Sequence, residues 1–171
     1  MEVRQLDIRN KKEVNAFIRF PFNLYKDHPL WVPPLLNGVR SSLDSDSHPS
    51  YRHSEAAFFT AQSEGQMLAR VGVVQNHRHN EYTKTNKAFF CFFEAAQDQQ
   101  AVNGVFERAG DWAKARGLDM LIGPRGLIGS DASGILVEGF DHPPALNVPY
   151  NYPYYDELVT NFGFVKDTQH Y

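Results

Sequence analysis

The sequence predicts a single α/β domain, residues 1–171, with a mixed sheet and the element order β-α-α-β-β-β-α-β-loop-α-(β). Three observations support this order. Two apolar strand patterns flank a tight-turn sequence, a strand that is apolar on both faces follows, and an amphipathic helix with signals at both ends comes next. The length fits one domain, because domains most often have about 100–150 residues.

The amino-terminal part predicts one strand and two helices. Apolar residues at intervals over residues 3–8 indicate a short strand. Asn10 and Glu13 have the spacing of a capping box, in which Glu13 bonds back to the Asn10 N–H, so a helix follows them. Pro21 should end or kink that helix. A second short helix is predicted over residues 35–43, with a loop after it.

The middle of the chain predicts the sheet. Residues 55–61 and 67–75 are strands of a hairpin, in which Gly65 supplies the positive φ of a tight turn. A polar link over residues 77–81 leads to a third strand at 87–94. Both faces of that strand are bulky and apolar, so it should be central and covered on both sides.

The carboxyl-terminal third predicts a crossover and a last helix. Asp98 and Gly117 delimit an amphipathic helix, and a short strand at residues 119–123 should pair in parallel with the strand before it. Residues 123–149 read as a long loop rich in glycine and proline. A helix near residues 153–162 follows, with Gly163 after it, and the remainder suffices for one more strand.

Composition excludes several classes of function. A net charge of −3 does not suit a nucleic-acid binder, and one cysteine excludes a disulfide framework and multi-cysteine zinc sites. The longest apolar runs are far below the ~18 residues of a membrane span. His77 and His79 would share a face of a strand, but with no third ligand nearby we predict no metal site. No signal peptide is visible, so we expect a cytoplasmic protein.

The element order, the long hairpin and the terminal Leu158…Gly163-Phe164 pattern resemble the GNAT (Gcn5-related N-acetyltransferase) superfamily over nearly the whole chain. Residues 17–22, 31–35 and 149–151 also resemble an uncharacterised bacterial group of GNAT-like proteins. Members of that group are usually about twice this length. The resemblance therefore implies a GNAT-like mixed sheet, with this chain as an amino-terminal half.

The resemblance also implies a function and its residues. GNAT enzymes transfer an acetyl group from acetyl-CoA, here to a small amine or peptide. Glu94, at the end of the third sheet strand, is the candidate base, and the cofactor would contact Phe93, Ala95 and Ala96. The acceptor would contact residues of the long loop and the last helix: Arg125, Asp131, Tyr150, Asn151 and Tyr155.

Two differences from the family's motifs keep a second class of function open. Residues 94–101 hold no glycine where the family's phosphate loop has them, and carry Glu94 and Asp98. Val159 stands where the family has a tyrosine. The alternative is a non-catalytic domain that binds a ligand or forms a homodimer through an unpaired sheet edge. Glu94 itself has a structural alternative, which is to cap the next helix.

The other candidate residues have structural alternatives as well. The tyrosines between residues 150 and 155 are also explained by packing of a proline-rich loop against the sheet. Arg125 is also explained as an exposed side chain on a turn-rich loop.

Overall fold

The computed structural model describes residues 1–127, 133–146 and 148–169, and within these ranges five strands form one sheet with helices on both faces. The strands are β1 (Glu2–Gln5), β2 (Ser54–Ser63), β3 (Gln66–Asn76), β4 (Lys87–Ala95) and β5 (Met120–Ile122). The helices are α1 (Lys11–Leu24), α2 (Leu36–Leu43), α3 (His77–Thr83), α4 (Gln99–Lys114) and α5 (Tyr155–Phe162), with a 3-10 turn at Pro49–Arg52.

The sheet has the strand order β1-β2-β3-β4-β5. The first four strands are antiparallel neighbours, whereas β5 pairs in parallel with β4 because α4 crosses over between them. The hairpin turn has positive φ at Glu64 (51°) and Gly65 (77°), the geometry of a tight two-residue turn. The predicted mixed sheet is thus confirmed, and the elements follow the predicted order apart from the added helix α3 and the last strand.

Each face of the sheet carries its own core. The larger core lies between the sheet and α4 and includes Phe90, Phe93 and Phe106, which are buried with Tyr155 of α5. The other core lies under α1 and includes Phe17. Because β4 is covered on both faces, its apolar run is explained as predicted.

A bulge in β4 determines which face each of its last residues occupies. Gly72 pairs with Cys91 and Arg70 with Glu94, so two residues of β4 lie opposite one residue of β3. Phe92 takes the extra position with a φ of 51°. Regular alternation would direct Glu94 into the α4 core, but the bulge shifts the phase by one residue and directs it toward α1.

The sequence predicts that Pro21 ends or kinks α1; the helix does not end there but continues to Leu24. A proline within a helix leaves the carbonyl four residues earlier without its N–H partner. That carbonyl belongs to Phe17, and it accepts a hydrogen bond of 2.6 Å from Nη1 of Arg70. A side chain from the sheet therefore replaces the missing helical bond.

The predicted polar link at residues 77–81 is also wrong, since these residues belong to α3. Asn76 caps the helix by accepting from the His79 N–H at 2.9 Å. On a helix, side chains two residues apart point in different directions, so His77 and His79 do not share a face.

The capping box at α1 differs from the prediction in one detail. The Asn10 side chain accepts from the Lys12 and Glu13 N–H groups as expected. The Glu13 carboxylate, however, bonds the Asn10 side chain and the Asp7 N–H instead of the Asn10 N–H.

The end of the described chain forms no further strand over residues 164–169. Phe164 instead packs against Phe90 and Phe106, with ring centroids 5.1 and 4.8 Å apart. Within the described ranges, no helix has the length and apolar character needed to cross a membrane.

Candidate functional site

Three oxygen-bearing side chains meet at the carboxyl end of β4. The hydroxyls of Tyr25 and Tyr155 lie 2.8 and 2.7 Å from Oε2 of Glu94, and 2.8 Å from each other. Tyr25 follows α1 and Tyr155 begins α5, and both are almost completely buried. We call Tyr25, Glu94 and Tyr155 the tyrosine–carboxylate cluster.

The cluster forms at the part of β4 that extends beyond its pairing with β5. Pairing of β4 with β5 ends at Phe89 and Ile122, and one further bond joins the Arg125 N–H to the Phe90 carbonyl. Beyond this point the edge of β4 is open. The Ala95 N–H donates to the Tyr155 hydroxyl, and the Ala95 carbonyl accepts from Tyr154, both at 2.9 Å. Two tyrosine hydroxyls thus satisfy backbone groups that a longer β5 would have paired.

The cluster can take up one proton without movement of a heavy atom. Three short oxygen–oxygen contacts exist, but two tyrosines supply only two hydroxyl hydrogens. With Glu94 ionised, both hydroxyls donate to Oε2 and the contact between Tyr25 and Tyr155 lacks a hydrogen. A proton on Glu94 supplies the third hydrogen, so that every contact is a hydrogen bond.

Glu94 is the group of the cluster that titrates most readily. Desolvation raises the pKa of Glu94 above its ordinary value, while the charge of Arg70 and the two hydroxyl donors oppose that rise. Desolvation and the Glu94 charge raise the pKa of Tyr25 and of Tyr155, so both tyrosines stay protonated donors. Oε1 of Glu94 accepts no hydrogen bond from the residues that the structure describes.

A column of stacked rings supports Tyr25. Its ring stacks on Trp31 at a centroid distance of 5.1 Å and on Tyr152 at 4.9 Å, and Tyr152 stacks on Tyr154 at 5.3 Å. The interplanar angles are 15–16°. The dense tyrosine patch seen in the sequence therefore forms one wall of the site, because its rings fix the position of the Tyr25 hydroxyl.

Tyr150 and Asn151 lie beside this wall, and their polar groups are bonded to backbone. The Tyr150 hydroxyl donates to the Phe140 carbonyl at 2.7 Å, and desolvation raises the pKa of Tyr150. Asn151 accepts from the Leu136 N–H at 2.8 Å and donates to the Leu136 carbonyl at 3.1 Å. Asn151 thereby holds the long loop against the start of α5, and contact of either residue with an acceptor stays a prediction.

Arg125 lies apart from the cluster. Its guanidinium is 5.0 Å from the centroid of the Phe89 ring. Phe89 and Glu94 pair with Val74 and Arg70, which are four residues apart in β3, so they lie roughly 14 Å apart at about 3.4 Å per residue. Asp131 lies outside the described residues. Of the predicted site residues, the structure brings Glu94 and Tyr155 together and leaves Arg125 beside Phe89, in the first half of β4.

The residues predicted to hold a cofactor surround the start of α4. The Phe93 ring is in the core against Phe106, and the Ala96 N–H donates to the Leu68 carbonyl at 2.8 Å. Asp98 caps α4 by accepting from the Ala101 N–H at 2.8 Å. The capping role considered for Glu94 is therefore wrong, because Asp98 fills it.

These residues do not fit the pyrophosphate of acetyl-CoA. A cavity of about 210 Å³ adjoins the start of α4, lined by Gln97, Gln99, Tyr154, Glu157, Leu158 and Asn161. The lining offers amides and a hydroxyl but holds the Glu157 carboxylate, and Asp98 already occupies the positive end of the helix dipole. Two carboxylates oppose a polyanion here, and Ala95 has both backbone groups in use.

Sequence reasoning missed Tyr25 and Arg70. Arg70 had a signal, since it is the one charged residue of β3 and lies within the apolar stretch of that strand. Tyr25 had none, because its partner Glu94 is 69 residues away in the chain.

Comparison with curated proteins finds two longer relatives. Protein YghO of Escherichia coli K12 is 32% identical over 157 residues, covering 92% of this chain and 40% of that protein. The bacterial ceramide synthase of Caulobacter vibrioides is 28% identical over 162 residues, covering 94% and 42%. The chain thus spans about two-fifths of the length of these relatives, as the expectation of longer relatives predicted. No protein-family model matches the chain.

Solved structures share the fold at low sequence identity. An aminoglycoside acetyltransferase from an uncultured soil sample has a TM-score of 0.59 at 9% identity, covering 99% of this chain and 93% of that one. A tandem GNAT protein of clavulanic acid biosynthesis has a TM-score of 0.60 at 10% identity, covering 95% and 43%. The chain therefore has the fold of the GNAT acetyltransferases, as its element order and its Gly163-Phe164 ending predicted.

Proposed function

We propose that this domain serves the amine side of an N-acyl transfer, with Glu94 as the general base. One observation carries the proposal. In a GNAT fold, Glu94 lies at the open edge of β4, receives two tyrosine hydroxyls on Oε2 and keeps Oε1 for another partner.

The chemistry requires such a base. An amine is mostly protonated near neutral pH and must lose a proton before its nitrogen can attack an acyl carbon. The ammonium first passes one proton to Oε1 of Glu94. The free nitrogen then attacks the acyl carbon, the new C–N bond forms as the C–S bond of the thioester breaks, and a second proton leaves the nitrogen for the departing thiolate. A carboxylate with a raised pKa is the stronger base, and desolvation raises that of Glu94. Tyr25 and Tyr155 stabilise the ionised carboxylate through Oε2 before the transfer, and they stay bonded to Oε2 when the proton is on Oε1.

The comparisons support an amine acceptor. Ceramide is the amide of a fatty acid with a long-chain amino alcohol, so the name of one relative refers to N-acylation. One structural neighbour is named an aminoglycoside acetyltransferase, which also acylates an amine. We therefore propose that the acceptor is a small amine or peptide, and we include long-chain amino alcohols among the candidates.

The test is amide formation by the purified protein. Each amine, namely an aminoglycoside, a long-chain amino alcohol and a lysine peptide, is supplied with acetyl-CoA or a long-chain acyl-CoA, and the product is detected by mass spectrometry. Glu94→Gln should lower kcat at least about 100-fold, the lower range for loss of a general base. Glu107→Gln changes an exposed glutamate of α4 and should keep the wild-type rate. Equal rates for the Glu94→Gln variant and the wild type would refute the role of Glu94.

A second acyl donor tests whether the start of α4 binds the pyrophosphate of acyl-CoA. Acyl-pantetheine has the thioester of acyl-CoA but lacks the pyrophosphate. We expect kcat/KM to be similar for the two donors, within a few-fold. The reason is that a pyrophosphate at the start of α4 would meet carboxylates and not cations. A preference for acyl-CoA above about 100-fold, some 2.7 kcal/mol of binding, would show a pyrophosphate site that these residues do not explain.

The carboxylates at the start of α4, which do not suit a pyrophosphate, favour a second candidate function. A domain that kept the fold but lost the phosphate loop would act as a non-catalytic binding or dimerisation module. That candidate predicts no amide with any donor, together with a dimer in sedimentation experiments. Turnover that depends on Glu94 would exclude it.

A further inference from the structure

Arg70 is a buried positive charge directly across the sheet from Glu94. It lies in β3, is 4% exposed, and is the register partner of Glu94 in the β3–β4 ladder. Side chains of such partners lie on the same face, with their Cβ atoms about 5 Å apart. Burial of this charge needs an explanation, because arginine is almost never fully buried unless it is paired.

One explanation is its contact with α1. Nη1 of Arg70 donates to the Phe17 carbonyl at 2.6 Å, and this is the carbonyl that Pro21 leaves without a helical partner. Proline in the helix and arginine in the strand thus depend on each other. Replacing either one alone changes the hydrogen bonding of Phe17.

A second explanation is its contact with the bulge. The guanidinium lies 4.8 Å from the ring centroid of Phe17 and 5.8 Å from that of Phe92, the residue at the extra position of the bulge. Its Nε is buried and has no hydrogen-bond partner among the described residues. Packing and one carbonyl therefore hold Arg70, while its charge remains available to act on Glu94.

We propose that Arg70 is a positioning residue: it holds α1 against the β4 bulge and keeps the Glu94 carboxylate ionised, in the form that accepts a proton. The part that concerns catalysis rests on the proposed function. The electrostatic part concerns Glu94 alone and can be measured without a substrate.

Among the described groups that face Glu94, Arg70 carries the positive charge that acts on its ionisation. Tyr25 faces it from just after α1 and Tyr155 from α5, with Tyr154 close by, and all three are neutral because their pKa values are raised. Arg70 is the charged group acting on Glu94 from β3, and it lowers the pKa of Glu94 against the effect of desolvation. Loss of Arg70 should therefore favour the protonated carboxyl.

The experiment measures the ionisation of Glu94 in the intact protein. Glutamate side-chain carboxyl carbons are labelled with ¹³C, the Glu94 signal is assigned with Glu94→Gln, and its titration midpoint is read by NMR. Arg70→Met should raise the midpoint by about 1–3 pH units, the usual effect of an adjacent charge. Arg108→Met, at an exposed position of α4, should leave it unchanged.

A double variant guards against misfolding. Pro21→Ala restores an N–H for the Phe17 carbonyl, so Arg70→Met should cost less thermal stability in the Pro21→Ala background, by roughly 2–4 °C for about 1 kcal/mol. A folded double variant whose Glu94 midpoint equals that of the wild type would overturn the inference.

The pH profile of amide formation separates this inference from the proposed function. In Arg70→Met the acid limb of kcat/KM should move to higher pH together with the NMR midpoint, and a purely structural role would not move it. If the midpoint rises but the wild type forms no amide, the charge effect of Arg70 stands and the proposed function fails.

Discussion

Removing the Tyr155 hydroxyl should destabilise the domain more than removing a comparable hydroxyl elsewhere. Tyr155→Phe deletes the donor to Oε2 of Glu94 and the acceptor of the Ala95 N–H. Ala95 is completely buried, so water does not replace the lost acceptor. Tyr51→Phe is the matched control, because the Tyr51 hydroxyl donates to the Ser42 carbonyl at 2.9 Å.

The magnitude follows from the groups left unpaired. A buried donor without an acceptor costs about 1–3 kcal/mol, whereas an ordinary hydrogen bond contributes about 1 kcal/mol. For a chain of this size, each kcal/mol corresponds to roughly 2–4 °C in Tm. We therefore expect Tyr155→Phe to lower Tm by about 2–12 °C and Tyr51→Phe by no more than about 4 °C.

Urea unfolding followed by circular dichroism provides the free energies of unfolding, and equal m-values would show that both variants unfold from a similar state. The loss of the hydroxyl should also raise the pKa of Glu94 further, since donation from Tyr155 lowers it. A Tyr155→Phe variant as stable as the wild type, within about 0.5 kcal/mol, would refute this account of the cluster.

Three further predictions concern pH, packing and ligand affinity. Because desolvation raises the pKa of Glu94 above 4.5, the folded state binds more protons than the unfolded state from that pH up to the folded pKa. The free energy of unfolding should fall with rising pH across this window in the wild type and not in Glu94→Gln. Urea unfolding at several pH values measures it, and the same pH dependence in both proteins would contradict the prediction. Gly72→Ala should destabilise by about 1–3 kcal/mol, because its Cβ would lie 2.8 Å from Sγ of Cys91. Gly110→Ala, with nothing within 4 Å, should stabilise α4 by up to about 1 kcal/mol, and thermal unfolding should show these opposite signs. Glu157→Gln should tighten acetyl-CoA binding in calorimetry about three- to tenfold, since a like charge ~6 Å from a phosphate costs about 0.7–1.4 kcal/mol at a dielectric constant of 40–80. If Glu157→Gln binds acetyl-CoA with wild-type affinity, the pyrophosphate of acetyl-CoA does not bind near Glu157.

Local signals made most of the fold predictable. Gly65 in its turn, Asp98 at the start of α4 and Gly163 after α5 each act within a few residues, and the structure has all three in the predicted roles. One departure from the prediction has a cause that is distant in the chain. Pro21 stays inside a helix because Arg70, 49 positions away, takes up the unpaired carbonyl of Phe17.

The site was predictable only in part, for the same reason. Glu94 stands out as a carboxylate at the end of an apolar strand. Its direction depends on the bulge at Phe92, a residue type that gives no local signal for a positive φ. Its partner Tyr25 follows α1 and is 69 residues away in the chain, so only the folded chain brings the two side chains together.

The most direct test of the central claim is the pH dependence of kcat/KM for amide formation by the wild type and by Glu94→Gln. If Glu94 is the base, the wild type should lose activity below the midpoint of Glu94 ionisation measured by NMR, and the variant should keep at most about 1% of the activity without that limb. A variant with wild-type activity and the same acid limb would contradict the claim, because another group would then accept the proton.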